Sequence, residues 1–151
     1  MLPVTDSNQV EFIHADNSND VISCFELMKQ LRPKLESSEV FLEKVLRMQK
    51  SGYRLLVAYE NHIPVGLAGY RIDEMLVHGK YIYVDDLVTS EGRRGKGLGE
   101  QLLKKVFELA KKQKFNKVIL DTGIGNSFAQ RFYFRMGMLP VALHFTYELG
   151  S

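Results

Sequence analysis

The chain has 151 residues, 45% hydrophobic and 25% charged, with a formal net charge of +2. That length fits one domain spanning residues 1–151, with a core that needs no disulfide or metal, and the composition excludes a disordered chain. The small net charge excludes a global attraction to nucleic acid, so any anion site has to be local.

The single cysteine, Cys24, has no partner for an internal disulfide. It lies in the apolar helical pattern VISCFELM and reads as a small buried side chain rather than a reactive thiol. No Cys/His spacing suits zinc. The opening MLPVTDSNQV lacks the basic start and apolar run of a signal peptide. No window reaches the length of a membrane span. The expectation is a soluble cytoplasmic protein with no membrane or nucleic-acid partner.

Taken in chain order, Val10–His14 alternates as a first strand, and DNSND then offers helix N-caps. From Asp20, Val21, Phe25, Met28 and Leu31 follow helical spacing until Pro33. A second helix runs from Ser37 or Ser38 to about Lys50, stopped by Ser51-Gly52. The period then changes. Tyr53–Tyr59 and Ile63–Arg71 form a hairpin across Glu60-Asn61-His62, and Tyr81–Thr89 follows the turn at His78-Gly79. Leu98, Leu102, Leu103, Val106, Leu109 and Ala110 mark one face of a long helix. Val118–Asp121 is a short apolar strand, Ser127–Met136 a short helix ended by Gly137, and Val141–Leu149 one or two closing strands. The fold class is α/β, built on a mixed sheet that joins antiparallel hairpins to a right-handed strand–helix–strand crossover.

The segment EGRRGKGLGEQLLKK, Glu91–Lys105, is dense in glycine and positive charge at the start of that long helix. Its spacing fits neither the phosphate loop of NTPases nor the dinucleotide fingerprint. A helix start leaves backbone N–H groups unpaired, and their partial charge favours an anion. Glycines let the backbone approach it. With Arg93, Arg94 and Lys96 nearby, a pyrophosphate is the natural guest; the alternative is a flexible basic loop.

Here a family resemblance appears. Arg94-Gly95-Lys96-Gly97-Leu98-Gly99 resembles the R/Q-x-x-G-x-G/A motif of the GNAT superfamily of N-acetyltransferases. Asn126-Ser127-Phe128-Ala129-Gln130-Arg131-Phe132-Tyr133, with Gly137-Met138 after it, is similar to a second family segment in which Phe is usual at the Met138 position. The resemblance implies a mostly antiparallel sheet with a splayed parallel strand pair and flanking helices, binding acetyl-CoA as cosubstrate. It implies that the pyrophosphate meets backbone amides of Arg94, Gly95, Lys96, Gly97, Leu98, Gly99 and Glu100. Leu87 and Val88 would pair with the pantetheine arm, with Asn126 and Ala129 near it. Family members are often dimers, so a homodimer is possible under the resemblance.

Acetyl transfer needs a neutral amine. For an amine of pKa about 10.4, the neutral form at pH 7 costs roughly 4.6 kcal/mol. A base must therefore take a proton, and the departing thiolate benefits from an acid. Tyr133 matches the family tyrosine assigned that acid role. Alone it would read as a core aromatic in FAQRFYF. Asp85 and Asp86 are the candidates for base or amine anchor. Strand alternation allows one of them to face the cleft unless a bulge intervenes, which leaves the choice open. Asp121 could also reach the cleft. Glu74 and His78 flank the hairpin bend and read mainly as solvated. His144 either touches the acceptor pocket or caps the sheet, and His14 and His62 read as surface or turn residues. The expected function is an acetyl-CoA-dependent N-acetyltransferase acting on a small cationic amine. Alternatives are a protein lysine or N-terminus as acceptor, or a CoA-binding sensor without turnover.

Overall fold

The computed structural model describes residues 9–150; the opening Met1–Asn8, part of the segment read above as carrying no leader, lies outside them. The chain forms two compact units, Met1–Ile119 and Leu120–Ser151. Strands β1 (Glu11–His14), β2 (Tyr53–Glu60), β3 (Ile63–Met75), β4 (Gly79–Thr89) and β5 (Lys117–Leu120) form one sheet in sequence order. The first four pair antiparallel, and β5 runs parallel to β4.

One face of the sheet carries α1 (Ser18–Ser23), α2 (Phe25–Leu31) and α3 (Ser38–Gln49). The caps follow the sequence: the Asn17 side chain accepts from the Asp20 N–H, and that of Ser37 accepts from Val40. The helix expected from Asp20 is broken at Cys24, whose N–H bonds to the Val21 carbonyl at 3.0 Å, a tighter turn that ends α1 and starts α2. Val21, Cys24, Phe25, Met28, Phe41 and Val45 close a core with Tyr53, Leu55, Val57, Leu67 and Val88 from the sheet. Burial pushes the Cys24 thiol up to about 11, so it stays a protonated, inert apolar group.

The other face carries α4 (Leu98–Lys112), whose Leu98 and Leu102 lie over Gly66 of β3. Leu102, Leu103 and Val106 are fully buried, each stabilising by roughly 1.5–3 kcal/mol. His14, read from sequence as a surface residue, is half-buried instead: its Nε2 lies 2.8 Å from the hydroxyl of the buried Tyr70. Desolvation holds the His14 imidazole below its usual pKa.

The second unit holds α5 (Ser127–Arg135) and the segment after it. The closing strands expected over Val141–Leu149 do not form among the described residues. Their alternation is necessary for a sheet edge but not sufficient, because a strand exists only where another backbone supplies its ladder bonds.

Gly69 on β3 is the tightest point of the sheet. A Cβ there would lie 2.0 Å from the Tyr53 hydroxyl and 2.8 Å from Asp86 Oδ2, closer than any packed contact. Gly69→Ala should therefore cost about 1–3 kcal/mol through overpacking. The check is a lower urea midpoint at unchanged slope. Combined with Tyr53→Phe, the loss should be less than additive, since both changes act on one contact.

Candidate active site

The loop that follows β4 is tied down at its start, where Ser90 donates to the Val65 carbonyl at 2.8 Å. A single 3₁₀ turn, Glu91–Arg93, comes next. Gly95 and Gly97 then take positive φ values of 78° and 80°, which glycine adopts without strain. A Cβ at either would meet nothing within 4 Å, so both stand in open space. Gly97 is the N-cap of α4 and supplies no side-chain cap, and the first intrahelical bond runs from Gln101 N–H to the Gly97 carbonyl at 3.0 Å. The amides of Leu98 and Gly99 precede that bond, at the positive end of a fifteen-residue helix. This donor set suits a diphosphate.

The individual cofactor candidates are not equivalent. Arg94 and Lys96 are exposed, and their N–H groups make long bonds of 3.4 Å within the turn. Arg93 is turned away to an ion pair with Glu60 at the end of β2, where it anchors the loop. Glu100 pairs with Lys104 one turn on, at 2.9 Å. Val88 is buried against α1–α3, and Leu87 sits beside it on β4, opposite Ala68.

Asp85 and Asp86 are brought together by a bulge. Gly69 faces Asp86 while Tyr70 faces Val84, so Asp85 is the extra residue on β4. Both carboxylates then meet side chains of the α1–α3 face. The Asp86 carboxylate is fully engaged: Oδ2 accepts from the Tyr53 hydroxyl at 2.7 Å and Oδ1 from Arg32 Nε at 2.9 Å. Arg32, at the C-cap of α2, also donates to the Asp85 carbonyl at 2.8 Å. Asp85 Oδ2 accepts from Arg71 Nε at 2.8 Å, whereas its buried Oδ1 has no partner among the described residues.

The protonation pattern follows from this geometry. Burial, ahead of Asp86 charge, pushes the Tyr53 phenol well above 10, so it stays a donor. Asp85 is raised above the usual carboxylate range because desolvation outweighs the Arg71 ion pair. The bond to Asp85 raises Arg71 in turn. Arg32, Tyr53, Arg71, Gly69 and Glu60 were not singled out by the sequence reading. The signal available was Gly69, an isolated glycine in the middle of a strand, which marks a bulge or a close backbone approach.

In the second unit, the Asn126 side chain accepts from the Ala129 N–H at 3.1 Å, so its oxygen caps α5. Tyr133 lines a cleft with Leu120, Gln130, Met138 and Leu139. Desolvation raises its phenol above the ordinary value, which keeps it protonated at neutral pH. Asp121 Oδ2 lies 2.6 Å from His144 Nδ1, so these two candidates pair with each other. Of the hairpin candidates, His78 sits 3.1 Å from Lys117.

The sequence model of the acetyltransferase (GNAT) family matches residues 19–138, four-fifths of the chain. The chain belongs to the GNAT family. It is 32% identical over 111 residues to the uncharacterized N-acetyltransferase YhdJ of Bacillus subtilis, covering 72% of this chain and 77% of that protein. The same fold occurs in an acetyltransferase of Trypanosoma brucei, with a TM-score of 0.79 at 24% identity over 93% of this GNAT chain and 100% of the other. It occurs again in the aminoglycoside N-acetyltransferase AAC(6')-Iy, solved with CoA, with a TM-score of 0.80 at 17% identity over 98% of each chain. Among the described residues no helix is long and apolar enough to cross a membrane.

Two substitutions at Gly97 separate backbone from charge. Gly97→Ala adds about 1–2 kcal/mol of left-handed strain and no charge. Gly97→Asp tolerates that conformation better but places a carboxylate at the helix start. Titration calorimetry with acetyl-CoA should show a larger affinity loss for the Asp variant than for the Ala variant. Wild-type affinity in Gly97→Asp would remove the loop from the cofactor site.

Proposed function

We propose that this chain transfers the acetyl group of acetyl-CoA to a primary amine by direct attack, with both substrates bound at once. Support comes from the family and from the open glycine loop at the α4 start. The observation that carries the chemistry is Asp85 Oδ1, buried and without a partner among the described residues, beside an Asp86 whose two oxygens are both hydrogen-bonded. A base needs an oxygen it can offer, and within this pair only Asp85 has one that accepts no hydrogen bond from the described residues.

In this reading the acceptor ammonium gives a proton to Asp85, directly or through water. The neutral nitrogen forms a bond to the thioester carbonyl carbon, and negative charge grows on the carbonyl oxygen, where backbone N–H donors stabilise it. The carbon–sulfur bond breaks, and Tyr133 supplies a proton to the departing sulfur. The products are an N-acetyl amide and free CoA thiol. The raised pKa of Asp85 brings it nearer to that of the amine than an exposed carboxylate would be, which eases the transfer.

The sign of the pH dependence is fixed. Asp85 acts only when ionised, so activity falls as pH drops through its raised pKa. Asp85→Asn should lower kcat/KM at pH 7 by about 10²–10⁴-fold. The loss should shrink toward pH 10, where the amine sheds its proton unaided. A pH profile of thiol release measures both, and a constant deficit at every pH would assign Asp85 to structure instead.

Tyr133→Phe should reduce kcat at least tenfold while leaving acetyl-CoA affinity nearly unchanged, because the hydroxyl acts on the departing sulfur. Equal turnover in wild type and variant would remove it from the acid role.

A further inference from the structure

Asp85 and Asp86 taken as bare carboxylates point to a cationic acceptor. Their surroundings change the electrostatics. Arg32 binds Asp86, and Arg71 binds Asp85, both at 2.8–2.9 Å. Two negative and two positive charges sum to a formal zero. A polycation approaching this cluster gains no net attraction and meets guanidinium groups as well as carboxylates.

The two arginines also have donors to spare. Arg32 uses Nε on Asp86 and Nη2 on Asp86 and the Asp85 carbonyl. Its Nη1 group has no partner among the described residues, and its side chain is 51% exposed. Arg71 uses Nε on Asp85 and lies over the Tyr53 ring at 5.7 Å. That stacking fixes its plane, and its Nη groups have no partner among the described residues. The cluster therefore offers one buried acceptor, Asp85 Oδ1, and guanidinium donors on the same face of the sheet.

We infer that the acceptor is an amino carboxylate, with its amine at the Asp85 carboxylate, whose side chain is 17% exposed, and its carboxylate on the free guanidinium edge of Arg32, assisted by Arg71. This rests on the acetyl-transfer reading and names its substrate class. The argument is charge matching in a partly buried place. A zwitterion brings one positive and one negative charge to a cluster that already balances. It leaves no uncompensated ion when water is displaced. A diamine would add net positive charge, and an amino phosphonate would place a dianion beside two carboxylates. Planar guanidinium groups also suit a carboxylate in two-point contact. Arg32 is thus a specificity residue, whereas Asp85 touches the reacting nitrogen.

Steady-state thiol release from acetyl-CoA tests this with matched acceptors of one chain length. The set is an ω-amino acid, its primary amide, the corresponding diamine and the aminoalkyl phosphonate, with α-amino acids run in parallel. Wild-type protein should favour the carboxylate over the amide by about 10–100-fold in kcat/KM, the range for a hydrogen bond to a charged group. Arg32→Gln should raise KM for the carboxylate about tenfold more than for the amide, which flattens the preference. Arg32→Lys should fall between the two. Unaltered acetyl-CoA affinity confirms that the variants are folded. A wild-type preference for the diamine, the phosphonate or the amide overturns the inference and leaves acetyl transfer standing. So does a carboxylate preference that survives in both Arg32→Gln and Arg71→Gln. Absence of thiol release with every amine overturns the acetyl-transfer reading and the inference with it.

Discussion

Between Val84 and Asp86, β4 carries one residue more than β3 opposite it, and Gly69 is where the mismatch is absorbed. The bare Cα of Gly69 leaves room for the Tyr53 hydroxyl, which crosses the sheet surface to reach Asp86 at 2.7 Å. That bond fixes one carboxylate, and the bulge turns the preceding one toward the same face. In a regular strand Asp85 and Asp86 would point to opposite sides, one against the α1–α3 core and one toward α4. The bulge thus makes a two-carboxylate site from a strand that would otherwise split it.

The same strand also leads into the glycine loop. Downstream of the bulge, Val88 returns to the hydrophobic core, and Ser90 is bonded to Val65 before the chain enters the glycine loop. Glu60 holds Arg93, so the loop is pinned to the end of β2 as well as to β3. Its free part is the run from Arg94 to Gly97, whose two positive-φ glycines lead into the first turn of α4. Leu98 and Leu102, seated over Gly66, fix the helix that presents those amides. Placement of the glycine loop and of the carboxylate pair therefore both trace to the β3–β4 ladder, with small residues on β3 setting the distance of approach on each face.

Much of this was legible in the amino-acid order, for identifiable reasons. Hydrophobic period gave the sheet strands and α4, and the DNSND stretch and the Ser37-Ser38 pair marked helix starts, where the structure uses Asn17 and Ser37 to satisfy backbone donors locally. The Glu91–Lys105 segment was readable because it is local: glycine, charge and helix start lie within one stretch. The ion cluster was not, since Arg32, Tyr53, Arg71 and Asp86 are joined only by folding, across separations of up to 54 residues. His14 looked exposed for the same reason, its partner Tyr70 lying 56 positions away. Val141–Leu149 failed in the opposite direction: its alternation is a local signal, but pairing is a non-local event that the segment does not control.

The four charges of the Asp85–Arg71 and Asp86–Arg32 cluster are weak evidence of a stabilising role. Desolvating ions costs several kcal/mol each, and a well-packed apolar set of the same volume is often as stable or more so. The arrangement even leaves one carboxylate oxygen buried without a partner among the described residues, a cost of about 1–3 kcal/mol or more for a charged group. A fold under pressure for stability alone would close that gap with a side chain, and Arg71 has donors close at hand. In the proposed reaction that open oxygen is the proton acceptor. An Asp85 held by one oxygen only keeps its orientation through Arg71 and its basicity through burial. Asp86, bound at both oxygens, does the opposite work of keeping Arg32 and Tyr53 in place. Under that proposal two adjacent residues of one type take separate roles, set by the number of partners each carboxylate has.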